Sequence, residues 1–124
     1  MNPKTIKILY WIVTGLFATA MLSDGIVGVM RVEAGKEALA HLGYPVYALT
    51  IFGAAKILGS IAILQSKFRT IKEWAYAGFT INFTGAAASH AFVGDAIGVL
   101  IQPLMALAVM CISYFLWKKF KAAK

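Results

Sequence analysis

Six polar side chains, Asp24, Lys56, Asn82, Ser89, His90 and Gln102, stand inside long apolar stretches of this 124-residue chain. A carboxylate, an ammonium, an imidazole, a hydroxyl and two carboxamides in such a setting can do two kinds of work. Paired charges can fix the order of packed helices, or convergent donors and acceptors can hold the polar end of an amphipathic ligand. A charge at bilayer depth costs roughly 2.5–3.5 kcal/mol, so each is expected to face a protein interior and to have a partner.

The elements that must position these groups are four apolar stretches, 8–30, 46–64, 74–94 and 97–117. Each is close to the ~20 residues a helix needs to cross the hydrocarbon core. The chain is 60% hydrophobic with a mean hydropathy of +0.77, more apolar surface than a soluble domain of this size hides. The expected fold is a single all-α domain over residues 1–124, a four-transmembrane-helix bundle. Lys4 and Lys7 before an apolar run ending in Ala18-Thr19-Ala20 imitate a secretory signal. The run continues to Met30, longer than a signal core, so an uncleaved first span is expected.

The net charge of +7 lies mostly at the edges of the spans. Lys4, Lys7, Lys67, Arg69, Lys72, Lys118, Lys119, Lys121 and Lys124 fall on one side, whereas Arg31 and Lys36 fall on the other. Nine against two puts both termini and the 65–72 connection in the cytoplasm by the positive-inside rule. The basic tail is expected to rest on anionic headgroups, and its placement argues against a nucleic-acid partner. Tyr10, Trp11, Trp74, Tyr76, Tyr114 and Trp117 map to the cytoplasmic interface, and Tyr44 and Tyr47 to the outer one.

Several smaller signals bound the chemistry. Cys111 is the only cysteine, which excludes thiol–disulfide exchange within one chain. Residues 33–42 read as a short surface helix on which Glu33, Glu37 and His41 share a face. That face is either a solvated polar surface or, less favourably, a metal site. A lone His90 within the spans argues against a haem with two histidine ligands. Thr70 and Glu73 have capping-box spacing, and Asp95 stands where it can cap the fourth span. Gly25 and Gly28, then Gly53, Gly59 and Ser60, then Gly78, Gly85, Ala86 and Ser89 form stripes of small residues that favour close helix approach.

At ~1.5 Å per residue from the outer surface, His90 lies about 7 Å deep, Asp24 and Gln102 about 10 Å, Lys56 about 16 Å and Asn82 about 20 Å. The lysine stem brings its ammonium level with Asp24. This layer is expected in the outer half of the bundle. It reads either as a structural ion pair among satisfied polar groups or as a pocket for a quinone-like or other amphipathic molecule.

The segments Leu42-Gly43-Tyr44-Pro45, Lys56-Ile57-Leu58-Gly59, Glu73-Trp74-Ala75-Tyr76-Ala77-Gly78-Phe79 and Gly85-Ala86-Ala87-Ala88-Ser89-His90 make the chain resemble the DoxX-like family over essentially its full length. The resemblance implies a small four-helix protein of the bacterial cytoplasmic (inner) membrane. It also implies kinship with subunits or partners of quinone-linked oxidoreductases, and with membrane assembly factors in animals. Members of the wider family tend to carry a basic residue late in the first helix and an acidic one in the second. Asp24 and Lys56 reverse these signs, which points to direct contact between the two helices. The expected function is therefore binding of a quinone-like cofactor or ligand as an accessory to an oxidoreductase. The alternatives are a structural or assembly role, including a homo-oligomer, and a small-solute transporter acting as an oligomer.

Overall fold

The computed structural model describes residues 2–65 and 67–122, and these form five helices with no strand. Helix α1 (Pro3–Val29) starts where Asn2 accepts a hydrogen bond from the Lys4 backbone N–H at 2.9 Å, with Pro3 in the first turn. Helix α2 (Glu33–His41) is short and has no buried residue. Helices α3 (Tyr47–Leu64), α4 (Arg69–Phe92) and α5 (Ile97–Ala122) follow, α5 carrying Pro103 inside it. Because Pro103 has no N–H, the Val99 carbonyl loses its helical partner there.

Two helices end in the same way. Gly43 and Gly94 adopt φ of 86° and 81°, a left-handed conformation that glycine enters without steric cost. After α2, Gly43 N–H donates to the Ala40 carbonyl and Tyr44 N–H to that of Leu39; after α4, Gly94 N–H donates to Ala91 and Asp95 N–H to His90. Both are Schellman endings. The second matters for function, because it folds Asp95 back over His90.

The four long helices form a ring in which α1 packs on α3, α3 on α4, α4 on α5 and α5 on α1. The α1–α3 interface is the most extensive and α3–α4 the least. Close approach of α1 and α3 comes from the glycines: a Cβ on Gly25 would lie 2.6 Å from the Gly53 carbonyl oxygen, and one on Gly53 would lie 2.6 Å from that of Gly25. Gly59 faces the Phe79 ring in the same tight manner, while Gly78 and Gly85 on α4 face open space. Two of the three small-residue stripes are thus at least partly used within the chain, and the two α4 glycines are left open.

The buried core sits toward the end that holds both termini. It joins Tyr10, Phe17, Ile63, Tyr76, Phe79, Phe83, Met110 and Trp117. Phe17 meets Phe79 edge-on at 5.1 Å and Phe79 stacks on Phe83 at 6.0 Å. Beyond Phe83 no residue of α4 is buried, and in α5 none before Met110. The opposite half of the ring is therefore held mainly by the α1–α3 glycine contact.

Three helices, α1, α3 and α5, are long and apolar enough to cross a membrane. Among the expected four, α4 does not reach the same hydropathy, although its 24 residues suffice in length. Asn82, Ser89 and His90, with Trp74, Tyr76, the threonines and two glycines of α4, dilute its apolar content.

Gly25→Ala and Gly53→Ala are expected to cost about 1–3 kcal/mol each by overpacking against backbone that cannot yield. Gly78→Ala and Gly85→Ala should be neutral or stabilise by roughly 0.5–1 kcal/mol, since helix entropy improves and nothing clashes. Thermal unfolding of the four variants in mild detergent measures this. Equal destabilisation of all four would refute the packing described.

Candidate functional site

Lys56 on α3 donates to the Asp24 carboxylate on α1. The contact follows from the glycines around it, because Gly25 and Gly53 bring the helix axes close enough for the two side chains to meet. Ser60, one turn after Lys56, spends its hydroxyl on the Lys56 carbonyl at 2.7 Å. Lys56 is mostly covered, with 22% of its side chain exposed, whereas Asp24 exposes 54%.

On its other side Lys56 lines a cleft of about 330 Å³ between α3 and α4, together with Gly59, Trp74, Gly78, Phe79 and Asn82. The cleft exists because small residues face one another across the loosest of the four interfaces: Ala55, Gly59 and Ala62 from α3, and Ala75 and Gly78 from α4. Its walls are apolar and aromatic, and Lys56 and Asn82 supply its strongly polar groups. That is the composition of a small-molecule site. Leu58 and Trp74, exposed by 68% and 72%, stand at its sides, so it opens laterally.

The other polar residues of the spans lie apart from this cleft. Ser89 pairs with the Tyr44 hydroxyl at 2.7 Å. His90 Nδ1 meets one oxygen of Asp95 at 2.6 Å, and His41 Nε2 meets the other at 2.7 Å. The hydrogen bonds from His90 first, then from His41, hold the Asp95 carboxyl below the usual carboxylate range. Asp95 thus ties α2, α4 and the α4–α5 turn together, and the helix that follows it opens with the Ala96 carbonyl accepting from the Val99 and Leu100 N–H groups at 2.9 and 3.3 Å. Gln102 is exposed on α5. The six residues do not share one chamber: Lys56 and Asn82 line the cleft, Asp24 joins through Lys56, and Ser89 and His90 belong to the far rim. The cleft itself extends from Lys56 and Asn82 toward Ala62, Ile71 and Trp74, beside the α3–α4 connection, rather than toward that rim. Glu33 pairs with Lys36 at 3.7 Å while His41 turns to Asp95. Among the described residues, no group of three acidic, histidine or cysteine side chains is arranged to hold a metal.

Near the termini lies a polar network that sequence reasoning missed. Thr14 and Ser113 share a hydrogen bond at 2.6 Å, Tyr76 joins Ser113 at 2.8 Å, and Lys72 donates to the Tyr10 hydroxyl. Lys72 is 1% exposed, and burial pushes its ammonium down to about 8. Tyr10, Tyr76 and Trp117, expected as interface anchors, are buried here, while Trp11 and Trp74 are exposed. Helical spacing could have revealed this: Lys72, Tyr76, Phe79 and Phe83 share one face of α4. The expected capping box is also replaced. Helix α4 begins at Arg69 behind Phe68, with no side-chain cap, and Gln65 instead bonds the Phe68 backbone N–H and carbonyl. Glu73 is thereby free to accept from Lys118 and, at 3.2 Å, from Tyr114.

The model of the DoxX-like family matches residues 12–113, from the first helix through the last. The chain belongs to the DoxX-like family. No curated protein and no solved structure matches it. The match spans both the Asp24–Lys56 pair and the α3–α4 cleft of this DoxX-like protein.

Removing one charge of the Asp24–Lys56 pair strands the other, at a cost of about 2.5–3.5 kcal/mol in a bilayer-like medium. Asp24→Asn and Lys56→Met should each lower the melting temperature, and the double variant should recover much of the loss. A double-mutant cycle on unfolding free energy reads the coupling. Strictly additive losses would mean that the contact carries no energy.

Proposed function

We propose that this DoxX-like protein binds a small amphipathic, quinone-like molecule in the α3–α4 cleft, as an accessory to a membrane oxidoreductase. The observation that carries this reading is the position of Lys56 and Asn82 in a laterally open, aromatic-walled cleft. At the estimated depths of about 16 and 20 Å, these donors stand near the middle of the bilayer. An ordinary phospholipid keeps its headgroup at the surface, whereas a quinone carries its polar ring into the hydrocarbon. The residues fit such a ring: the ammonium and carboxamide can donate to carbonyl oxygens, and Phe79 and Trp74 offer flat apolar contact. Asp24 balances the charge of Lys56, so the cleft can take a neutral head. A bound quinone would supply two-electron redox chemistry; the chain itself binds and orients it.

The same reading takes α4 as a fourth span in the inner membrane of a bacterium, with both termini cytoplasmic. It is supported by the packing of α4 between two apolar helices, α3 and α5, and by the nine basic residues on one side. A topology reporter joined to the C-terminus should be active in the cytoplasm, and one inserted in α2 outside it. Activity on the same side for both would overturn the four-span arrangement.

A second reading, a structural or assembly role, is favoured by the open faces of Gly78 and Gly85, which suit contact with another helix. Titration with a short-chain quinone separates the two. Binding predicts saturable quenching of tryptophan fluorescence that is lost in Trp74→Phe. In Asp24→Asn/Lys56→Met, which keeps the charge balance, affinity should fall about tenfold or more through loss of a charge-assisted donor. Quenching that never saturates and is indifferent to both changes would leave the assembly role.

A further inference from the structure

A second site lies at the end of the bundle that holds the termini, on the other face of α4 from the quinone-like cleft. Three ammonium groups surround one indole ring: Lys72, Lys118 and Lys121 stand 5.1, 4.8 and 5.3 Å from the centre of Trp117. Each contact is favourable on its own, yet the three like charges repel. Glu73 is the only acidic side chain at this end, and Lys118 already occupies it. Lys72 is buried with a tyrosine hydroxyl, not a carboxylate, as its partner. Arg69 opens α4 one turn before Lys72 and Glu73, on the same helix face, and adds a fourth cation at this end. Four cations against one carboxylate call for an anion.

Directly beside the cluster, α4 and α5 leave a cleft of about 230 Å³ lined by Glu73, Tyr76, Thr80, Met110, Cys111 and Phe115. Two of its hydroxyls are already satisfied, Thr80 by the Tyr76 carbonyl at 2.9 Å and Tyr76 by Ser113. Beyond its charged mouth the cleft therefore presents an apolar interior, and Phe115 at its side is 63% exposed.

We propose that this end of α4 and α5 is a binding site for one anionic phospholipid, whose headgroup sits among Arg69, Lys118 and Lys121 and whose acyl chain fills the α4–α5 cleft. Charge complementarity selects the headgroup, since basic pockets between membrane helices attract anionic lipid on the cytoplasmic side. The depth relation selects a lipid over a free anion: charge at the interface and apolar surface inward match an anchored molecule. Diffuse attraction of the basic tail to the surface would need no cleft. The proposal rests on α4 and α5 crossing the membrane but not on quinone binding.

The test compares phosphatidylglycerol with phosphatidylcholine of the same chains, added to the full-length protein in mild detergent and counted by native mass spectrometry. Phosphatidylglycerol should bind about tenfold or more tightly, and Arg69→Gln/Lys121→Gln, which spares the Glu73–Lys118 pair, should abolish that preference. Ala77→Phe, at the wall of the cleft, should weaken retention of the lipid without removing the charge preference. Equal binding of the two lipids by the unaltered protein, or a preference that survives loss of both cations, would overturn the site. Displacement by glycerol phosphate at the same concentration as lipid would reassign it to a soluble anion. Unchanged retention in Ala77→Phe would overturn the acyl-chain cleft.

Discussion

The close backbone approach of Gly25 and Gly28 of α1 to Gly53 of α3 is the constraint on which the rest of the arrangement depends. Membrane helices have no hydrophobic drive toward one another, because lipid is as apolar as their side chains. Association must come from dispersion at short range and from polar contacts. Glycine at the crossing supplies the first and holds Asp24 beside Lys56 for the second. The half of the bundle farther from the termini has few buried side chains on α4 and α5. Its cohesion therefore lies in α1–α3 and in the rim contacts of Tyr44, Ser89, His41, His90 and Asp95.

The other half is organised differently. Large aromatic rings fill it, and every polar group among them is paired: Thr14, Tyr76 and Ser113 with one another, Lys72 with Tyr10. Low dielectric makes such a network costly if broken and specific when complete. The interface between α3 and α4 belongs fully to neither half. Small residues face each other there with neither a backbone crossing nor a large ring to fill the space over much of its length, and a cleft results. The proposed ligand site is thus a consequence of residue size, and its polar end is set by the ion pair behind it.

Much of this was legible in the residues themselves. Charge at membrane depth identified Asp24 and Lys56 as partners, since neither side chain is tolerated alone in an apolar helix. Gly25, Gly28 and Gly53 were recognisable as contact positions from their spacing. The signals that misled were local ones. Thr70 and Glu73 have the spacing of a cap, yet Glu73 goes to Lys118, 45 residues away. Asp95 looks like a helix start, but its two oxygens are taken by histidines from two other segments. In each case a carboxylate went to charge-assisted side-chain partners, at least one of them distant in sequence, instead of to the nearby backbone N–H.

The sequence by itself determined the helices, their glycine-terminated ends and the pairing of the charges, because periodicity, φ preference and desolvation cost act on each residue wherever the chain goes. Position along a helix was also readable, since it is a count of residues. Azimuth was not. Whether Gly78 faces a neighbour or open space, whether Trp117 anchors at the surface or gathers three lysines, and whether Asn82 shares a cleft with Lys56 or with His90 depend on how four helices rotate against one another. That rotation is set jointly by every interface in the ring, so only the tertiary structure decided it.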